Sequence, residues 1–274
     1  MKCCCGALAV LVWLLVAPAA SVAQALELKF LDVGQADAIL IQMGRRAVLV
    51  DASRGDDILL VLAEQGVDSL VAAIGSHNHD DHIGGMDAVL SSVPVGQYLF
   101  NHRPPANINA RSVEEWLARG NIRSPPPPWD PIMLGDVRIT VFPSVLTGAS
   151  ENNSSLGVLV ERGGFRALLT GDSEVEALNA WMEAGIVPDV DVLKAAHHGA
   201  RNGVTPGWID RTKPEVVVIS VGATNQHGHP HPAAMRYYEL RGRRVYRTDT
   251  DGTVTVTVDP DGKYQITTAG PIPR

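Results

Sequence analysis

Short runs rich in Val, Ile and Leu recur along most of this chain, and they constrain its fold more than any other feature. They are "LELKFLDV" (26–33), "DAILIQM" (37–43), "RAVLVDA" (46–52), "LVAAIGS" (70–76), "VRITVFP" (137–143), "SLGVLVERG" (155–163), "FRALLTGD" (165–172), "VDVLKAA" (190–196), "EVVVISVG" (215–222) and "TVTVTVD" (253–259). Each is punctuated by Gly, Asn, Asp or Pro, which marks them as strands. Helical patterns lie between some of them. "DDILLVLAEQG" carries apolar residues at helical spacing and stops at Gly66, and "SEVEALNAWMEAG" puts Val175, Leu178, Trp181 and Met182 on one face before Gly185. "HPAAMRYYELRG" follows the same pattern, with Pro232 suited to a first helical turn. Strands first, then helices alternating with strands, then strands again suits two sheets packed face to face with helices outside, an α/β architecture. The stretch "SPPPPWDP" (124–131) reads as a stiff extended connector inside one domain, because strands resume directly after it.

The N-terminus reads as a targeting segment. Lys2 precedes an apolar stretch from Ala7 to Val16, and Ala23-Gln24-Ala25 supplies a small-residue cleavage pattern. Residues 1–25 are therefore expected to be a signal peptide, and 26–274 the folded domain of a periplasmic or secreted protein. The stretch falls short of the roughly 20 residues that span a bilayer. No membrane association is expected after cleavage. The only cysteines, Cys3, Cys4 and Cys5, leave with the peptide, so disulfides, thiolate ligands and a cysteine nucleophile are excluded. A core must hold the mature chain together, and about 250 residues suffice for one. Loss of Lys2 takes the formal charge from −7 to −8. An acidic chain is poorly suited to long nucleic acid, where neutralisation of the backbone by Lys and Arg supplies most of the affinity. One local exception is the group Arg236, Arg241, Arg243, Arg244 and Arg247, which suits a helix C-terminus or a phosphate-binding strip.

Three of the apolar runs end in histidines. "HNHDDH" (77–82) follows "LVAAIGS", His197 and His198 follow "VDVLKAA", and His227, His229 and His231 follow "EVVVISVG". Only His102 lies outside these clusters. Imidazole and carboxylate are the ligands that zinc, manganese and iron accept without thiolate. Alternating His77 and His79 can reach one ion from a tight turn while Asp81 and His82 point to a second, and Gly84 and Gly85 allow a sharp turn into the next helix. Asp172, at the end of "FRALLTGD", is placed to bridge two ions; an alternative role is to cap the helix that follows. Strand ends at one edge of a sheet are where α/β sites assemble.

Taken in order, "LDVGQADAILIQ", "VLVDAS", "SHNHDDHIGG", "NNSSLGVLVERGGFRALLTGD", "DVLKAAHHG" and "ISVGATNQHGHPHP" with "YRTDTDG" resemble the metallo-β-lactamase superfamily. More narrowly, they resemble the hydrolase domain of ComEC-type competence proteins and their free-standing relatives. The resemblance covers essentially all of the mature chain and implies a four-layer αββα sandwich with a metal site at one edge of the sheets. It implies His77 and His79 at one ion, Asp81 and His82 at the other, Asp172 as bridge, His198 as a late ligand, and Asp51 as a buried aspartate that steadies the ligand loop. Two departures stand out. Asn152 or Asn153 occupies the place where many superfamily members supply another histidine, and Ala36 stands where the ComEC-like group has glycine. The first departure weakens zinc binding or favours a harder ion such as manganese. Channel segments are lacking, so DNA uptake does not follow.

The expected chemistry is metal-assisted hydrolysis. Two divalent ions, zinc or manganese, about 3.5–4 Å apart would bring a shared water close to ionisation at neutral pH. Asp172 would hold the pair, with His197, His229 and His231 as candidates for general acid, orientation of ligands or contact with an oxyanion. Lys194 is left open, since its alternation with Leu193 fits an outward position equally well. The leading substrate class is a small or short phosphodiester. Hydrolysis of a lactam, lactone or carboxylic ester is a second reading, and a metal-binding interaction domain without catalysis is a third.

Overall fold

The computed structural model describes residues 24–146, 148–240 and 243–270. The expected signal peptide lies outside the described residues except for its last two positions. The first sheet contains β1 (Leu26–Phe30), β2 (Ile39–Met43), β3 (Arg46–Val50), β4 (Leu70–Ile74) and β5 (Tyr98–Leu99). The second contains β6 (Ile132–Leu134), β7 (Val137–Phe142), β8 (Gly157–Arg162), β9 (Phe165–Leu169), β10 (Val192–Lys194), β11 (Val216–Ile219) and β12 (Arg244–Arg247). The chain then returns to the first sheet with β13 (Val254–Val258) and β14 (Tyr264–Thr268), giving the orders β14-β13-β1-β2-β3-β4-β5 and β12-β11-β10-β9-β8-β7-β6.

Period-two alternation builds the layers. Leu26, Leu28 and Phe30 of β1 point the same way as Ile39 and Ile41 of β2, and meet Ile139, Val158, Val160 and Val218 of the other sheet in a shared core. Their neighbours face outward. Leu40, Leu49 and Ala73 pack beneath α1 (Asp57–Glu64), α3 (Met86–Ser92) and α4 (Ile108–Ala118), with a short α2 (Asp80–Ile83) beside them. On the far side Leu168, Leu193 and Val217 pack against Leu178 and Trp181 of α5 (Val175–Glu183), Trp208 of α6 (Pro206–Thr212) and Tyr238 of α7 (Pro232–Glu239); α8 (Thr248–Asp251) is a single turn after β12. Each side chain so buried contributes about 1.5–3 kcal/mol. The order of layers is the αββα sandwich, and strands covered on both faces explain why the sequence shows continuous apolar runs. Among the described residues no helix is long and apolar enough to cross a membrane.

Topology sends the polar clusters to one edge. The pairs β3/β4, β9/β10, β10/β11 and β11/β12 are parallel, so their C-terminal ends lie together. β2 runs antiparallel to β1 and β3, and β8 antiparallel to β9, so the residues that precede β2 and β8 arrive at that same edge. Asp37 and Asn152 enter the site by this route.

Candidate metal centre

The loop 76–83 is held before any side chain is considered. Its backbone accepts from Asp37 N at Asp81 O (2.9 Å) and from Ala52 N at His82 O (2.6 Å), while Glu151 Oε1 accepts from Asn78 N (2.8 Å). Gly84 and Gly85 have φ of −60° and −99°, which any residue adopts, so the sharp turn expected of them is not their role. They are needed for close approach. A Cβ at Gly85 would overlap the carbonyl oxygens of Gly55 and Ala52, and one at Gly84 would overlap Asp80 O.

Within this frame the side chains have fixed duties. Asp51, in the left-handed region at φ 60°, accepts from Ser76 N at Oδ1 (2.7 Å) and from Ser76 Oγ at Oδ2 (2.8 Å). The same Oδ2 lies 2.8 Å from His82 Nδ1. Asp51 therefore orients His82 and leaves its Nε2 pointing at Asp172, 3.3 Å from Oδ2. His198 Nδ1 lies 2.9 Å from Ser220 O, which places a proton there and leaves Nε2 facing Asp172 Oδ1 (3.5 Å) and Asp81 Oδ2 (3.6 Å). The His77 Nε2 and His79 Nδ1 atoms approach to 2.9 Å. His77, His82 and Asp172 offer donor atoms within 4.8 Å of one another, and so do Asp81, His82 and His198, and Asp37, Asp172 and His198.

These donors fit divalent metal. His82 Nε2, His198 Nε2 and Asp172 Oδ1 are buried without a hydrogen-bond partner, a costly state that a cation relieves. Electrostatics agree. Burial alone would raise the Asp172 carboxyl, but His198 and His82 hold it well below the usual carboxylate range. Burial likewise opposes a charge on His82, yet Asp172 and Asp51 raise it well above the ordinary imidazole value; His198 is raised against burial by Asp172 and Asp37. His77 is pushed down by burial and by His82.

The remaining candidates are distributed unevenly. His197 lines the cavity with Nε2 3.8 Å from Asp172 Oδ2 and Nδ1 3.6 Å from Glu174 Oε1. His197 and His198 are consecutive non-glycine residues at φ 50° and 54°, a strained turn of the kind that collects at functional sites. His229 also lines the cavity, and burial with its histidine neighbours lowers it to about 4, so it is neutral at pH 7. His231 stands outside this cavity. Its Nδ1 accepts from Ala233 N (3.1 Å) at the start of α7, and it lines an adjoining groove with Arg201 and Asn202.

The two asparagines divide their work. Asn153 Oδ1 accepts from Glu174 N (3.0 Å) and Ala177 N (3.3 Å), supplying the first turn of α5 with its cap. Asp172 makes no side-chain cap there. Asn152 faces the cavity, with Nδ2 3.5 Å from His197 Nε2.

Asp37 and Arg54 are additions to the site that their sequence neighbourhood does not single out, and Lys194, open between two orientations in the sequence, is settled. Asp37 is buried at the floor, Oδ1 3.5 Å from His198 Nδ1 and Oδ2 3.7 Å from His82 Nδ1. Lys194, far from facing outward, is 0% exposed and ion-paired with Asp37. Arg54 lies at the rim, Nη2 3.4 Å from Asp81 Oδ2. The only signal was a charged residue beside a wholly apolar run, "DAILI" for Asp37 and "VLKAA" for Lys194, where a buried charge demands a partner from elsewhere in the chain. None of Arg236, Arg244 and Arg247 lines the cavity; Arg247 is taken up by Asp249 (2.6 Å), and Arg241 lies outside the described residues.

A four-layer sandwich with histidines and aspartates converging at one edge defines a class of metal-dependent hydrolases. Residues 31–222 match the metallo-β-lactamase superfamily, and the chain belongs to it. Among curated proteins it is 29% identical over 259 residues to the ComE operon protein 3 of Bacillus subtilis, an alignment covering 83% of this chain and 32% of that one. It is 29% identical over 246 residues to the Recombination protein 2 of Haemophilus influenzae, covering 84% and 29%. The chain thus spans about a third of the length of these ComEC-type relatives. Among solved structures the metallo-β-lactamase fold protein YhfI of Bacillus subtilis superposes with a TM-score of 0.56 at 14% identity, over 88% of this chain and 99% of that one.

Proposed function

We propose that the chain, exported and freed of residues 1–25, hydrolyses a short phosphodiester with the help of two divalent ions, manganese or zinc. The observation that carries this reading is the lining of the cavity, about 310 Å³, over the ligand cluster: every residue that lines it is of a polar type, and Arg54, His227 and His229 are among them. Such a set of cationic and hydrogen-bonding side chains suits an anionic, hydrated substrate.

His77 and His79 would hold one ion, Asp81, His82 and His198 the other, with Asp172 between them. Bound there, the ions supply Lewis acidity and a water acidic enough to ionise near neutrality. The protein's own residues do the rest. Asp51 and Ser220 fix the tautomers of His82 and His198, so that both present Nε2 to the centre. Neutral His229 is suited to donate a hydrogen bond to a phosphoryl oxygen, and Arg54 to pair with the charge that develops there. The adjoining groove, with Arg201, Asn202 and His231, gives room for the ester group on one side.

The test is cleavage of bis(p-nitrophenyl) phosphate by the protein with added manganese, and its loss in Asp172→Ala and His82→Ala. Equal rates in those variants, or turnover of nitrocefin or a lactone without phosphodiester cleavage, would overturn the proposal.

A further inference from the structure

Lys194 is the last residue of β10, in the interior of the second sheet, and its ammonium lies under the floor of the metal centre. Its Nζ ion-pairs with Asp37, which leads into β2 of the first sheet, donates to Gly171 O (3.0 Å) and lies 3.9 Å from Asp172 Oδ1. One side chain thus joins the two sheets at the point where the bridging carboxylate leaves β9. The same point is crowded with anions: Asp37, Asp51, Asp81 and Asp172 all approach His82 or His198. Asp37 belongs to two of the four donor sets, one with Asp172 and His198 and one with Asp51 and His82, yet Lys194 stands on it. A buried carboxylate is tolerated only with a compensating cation. Beyond the imidazoles of His82 and His198, two kinds of cation can provide that charge here, an ammonium carried by the chain or a third ion from solution.

We propose that Lys194 is a built-in third cation of the centre: it neutralises Asp37, keeps that carboxylate from ligating, and so limits the number of ions that bind. It is also a positioning residue, since its bond to Gly171 O fixes the peptide that carries Asp172. The proposal rests on the dinuclear reading for the total count of ions, but its own content is a difference between variants.

Native mass spectrometry after manganese loading counts the ions directly, without recourse to activity. The parent is expected to hold two. Lys194→Met, which keeps the length and removes the charge, is expected to hold one ion more than the parent, and its melting temperature to depend more steeply on manganese. Lys194→Arg should return to the parental count. A parental count below two defeats the dinuclear reading. An equal or lower count in folded Lys194→Met defeats the proposal about Lys194. Should Lys194→Met not fold, the double variant Asp37→Asn with Lys194→Met decides the matter. Removing the charge together with its partner is expected to restore folding and the parental count, whereas loss of an ion in that variant would make Asp37 a ligand and overturn the proposal.

Discussion

Asp51 Oδ2 lies 2.8 Å from His82 Nδ1, while Asp51 Oδ1 holds the Ser76 amide at 2.7 Å. One carboxylate at the end of β3 therefore fixes both the start of the ligand loop and the orientation of its last imidazole. Burial raises the Asp51 carboxyl, and His82 works against that rise, so the pair stands or falls together.

Asp51→Asn keeps an acceptor for the Ser76 amide but cannot keep both contacts to His82 and Ser76 Oγ as acceptor. The expected result is a folded protein whose affinity for manganese falls by about 10–100-fold, the usual cost of losing an orienting partner behind a ligand. Titration calorimetry with a far-ultraviolet dichroism control checks it. Unchanged affinity would show that the loop orients His82 without Asp51.

Asn152 rather than Asn153 faces the cavity, and its Oδ1 is buried without a hydrogen bond. Asn152→His should add an imidazole to the histidine side of the centre and raise zinc affinity by about ten-fold or more, with a smaller gain for manganese, which prefers oxygen. Asn153→His should instead remove the cap of α5 and cost about 1–2 kcal/mol of stability without any gain in affinity. Competition with a chromophoric chelator and urea denaturation separate the two outcomes.

Metal affinity should rise with pH. Against burial, Asp172 and Asp51 raise His82, and Asp172 and Asp37 raise His198, above the ordinary imidazole value in the metal-free protein, so each holds its proton to higher pH than a free imidazole and must give it up to ligate. Manganese binding is then expected to release protons, measured as a dependence of the calorimetric enthalpy on buffer ionisation. The raised values also set the sign for the metal-free protein. The stability these two histidines contribute is complete below their unfolded value, near 6.5, and is lost as pH rises through the folded one. Metal-loaded protein should lack that decline.

Gly85→Ala places a methyl group against the carbonyls of Gly55 and Ala52, both backbone atoms that cannot rotate away. It should cost about 2 kcal/mol or more and lower the melting temperature by roughly 5 °C. Gly55, in the adjacent loop between β3 and α1, is the comparison, since its Cβ would meet nothing within 4 Å, although its φ of 70° adds strain of its own. A Gly85→Ala protein as stable as the parent would mean that the ligand loop can shift, and its manganese affinity would then report by how much.

Much of this protein follows from its sequence alone. Period-two alternation and apolar runs specify strands because burial acts on each residue locally, and His77, His79, Asp81 and His82 stand out as candidate ligands because they are neighbours in the chain; the compact donor sets take in His77, Asp81 and His82 but not His79. Weakly patterned elements escape such reading: β12 carries arginine at both ends, β14 is a largely exposed edge, and α4 buries little beyond Ala110 and Val113. The tertiary structure alone decided that Asp37 and Lys194 meet beneath the centre, that Asn152 faces it while Asn153 caps a helix, and that Arg54 borders the cavity while Arg236, Arg244 and Arg247 do not. The first two depend on which residues the antiparallel β2 and β8 bring to the common edge. Pairing between segments far apart in the chain leaves no local trace, because the free energy that selects it is shared across two sheets.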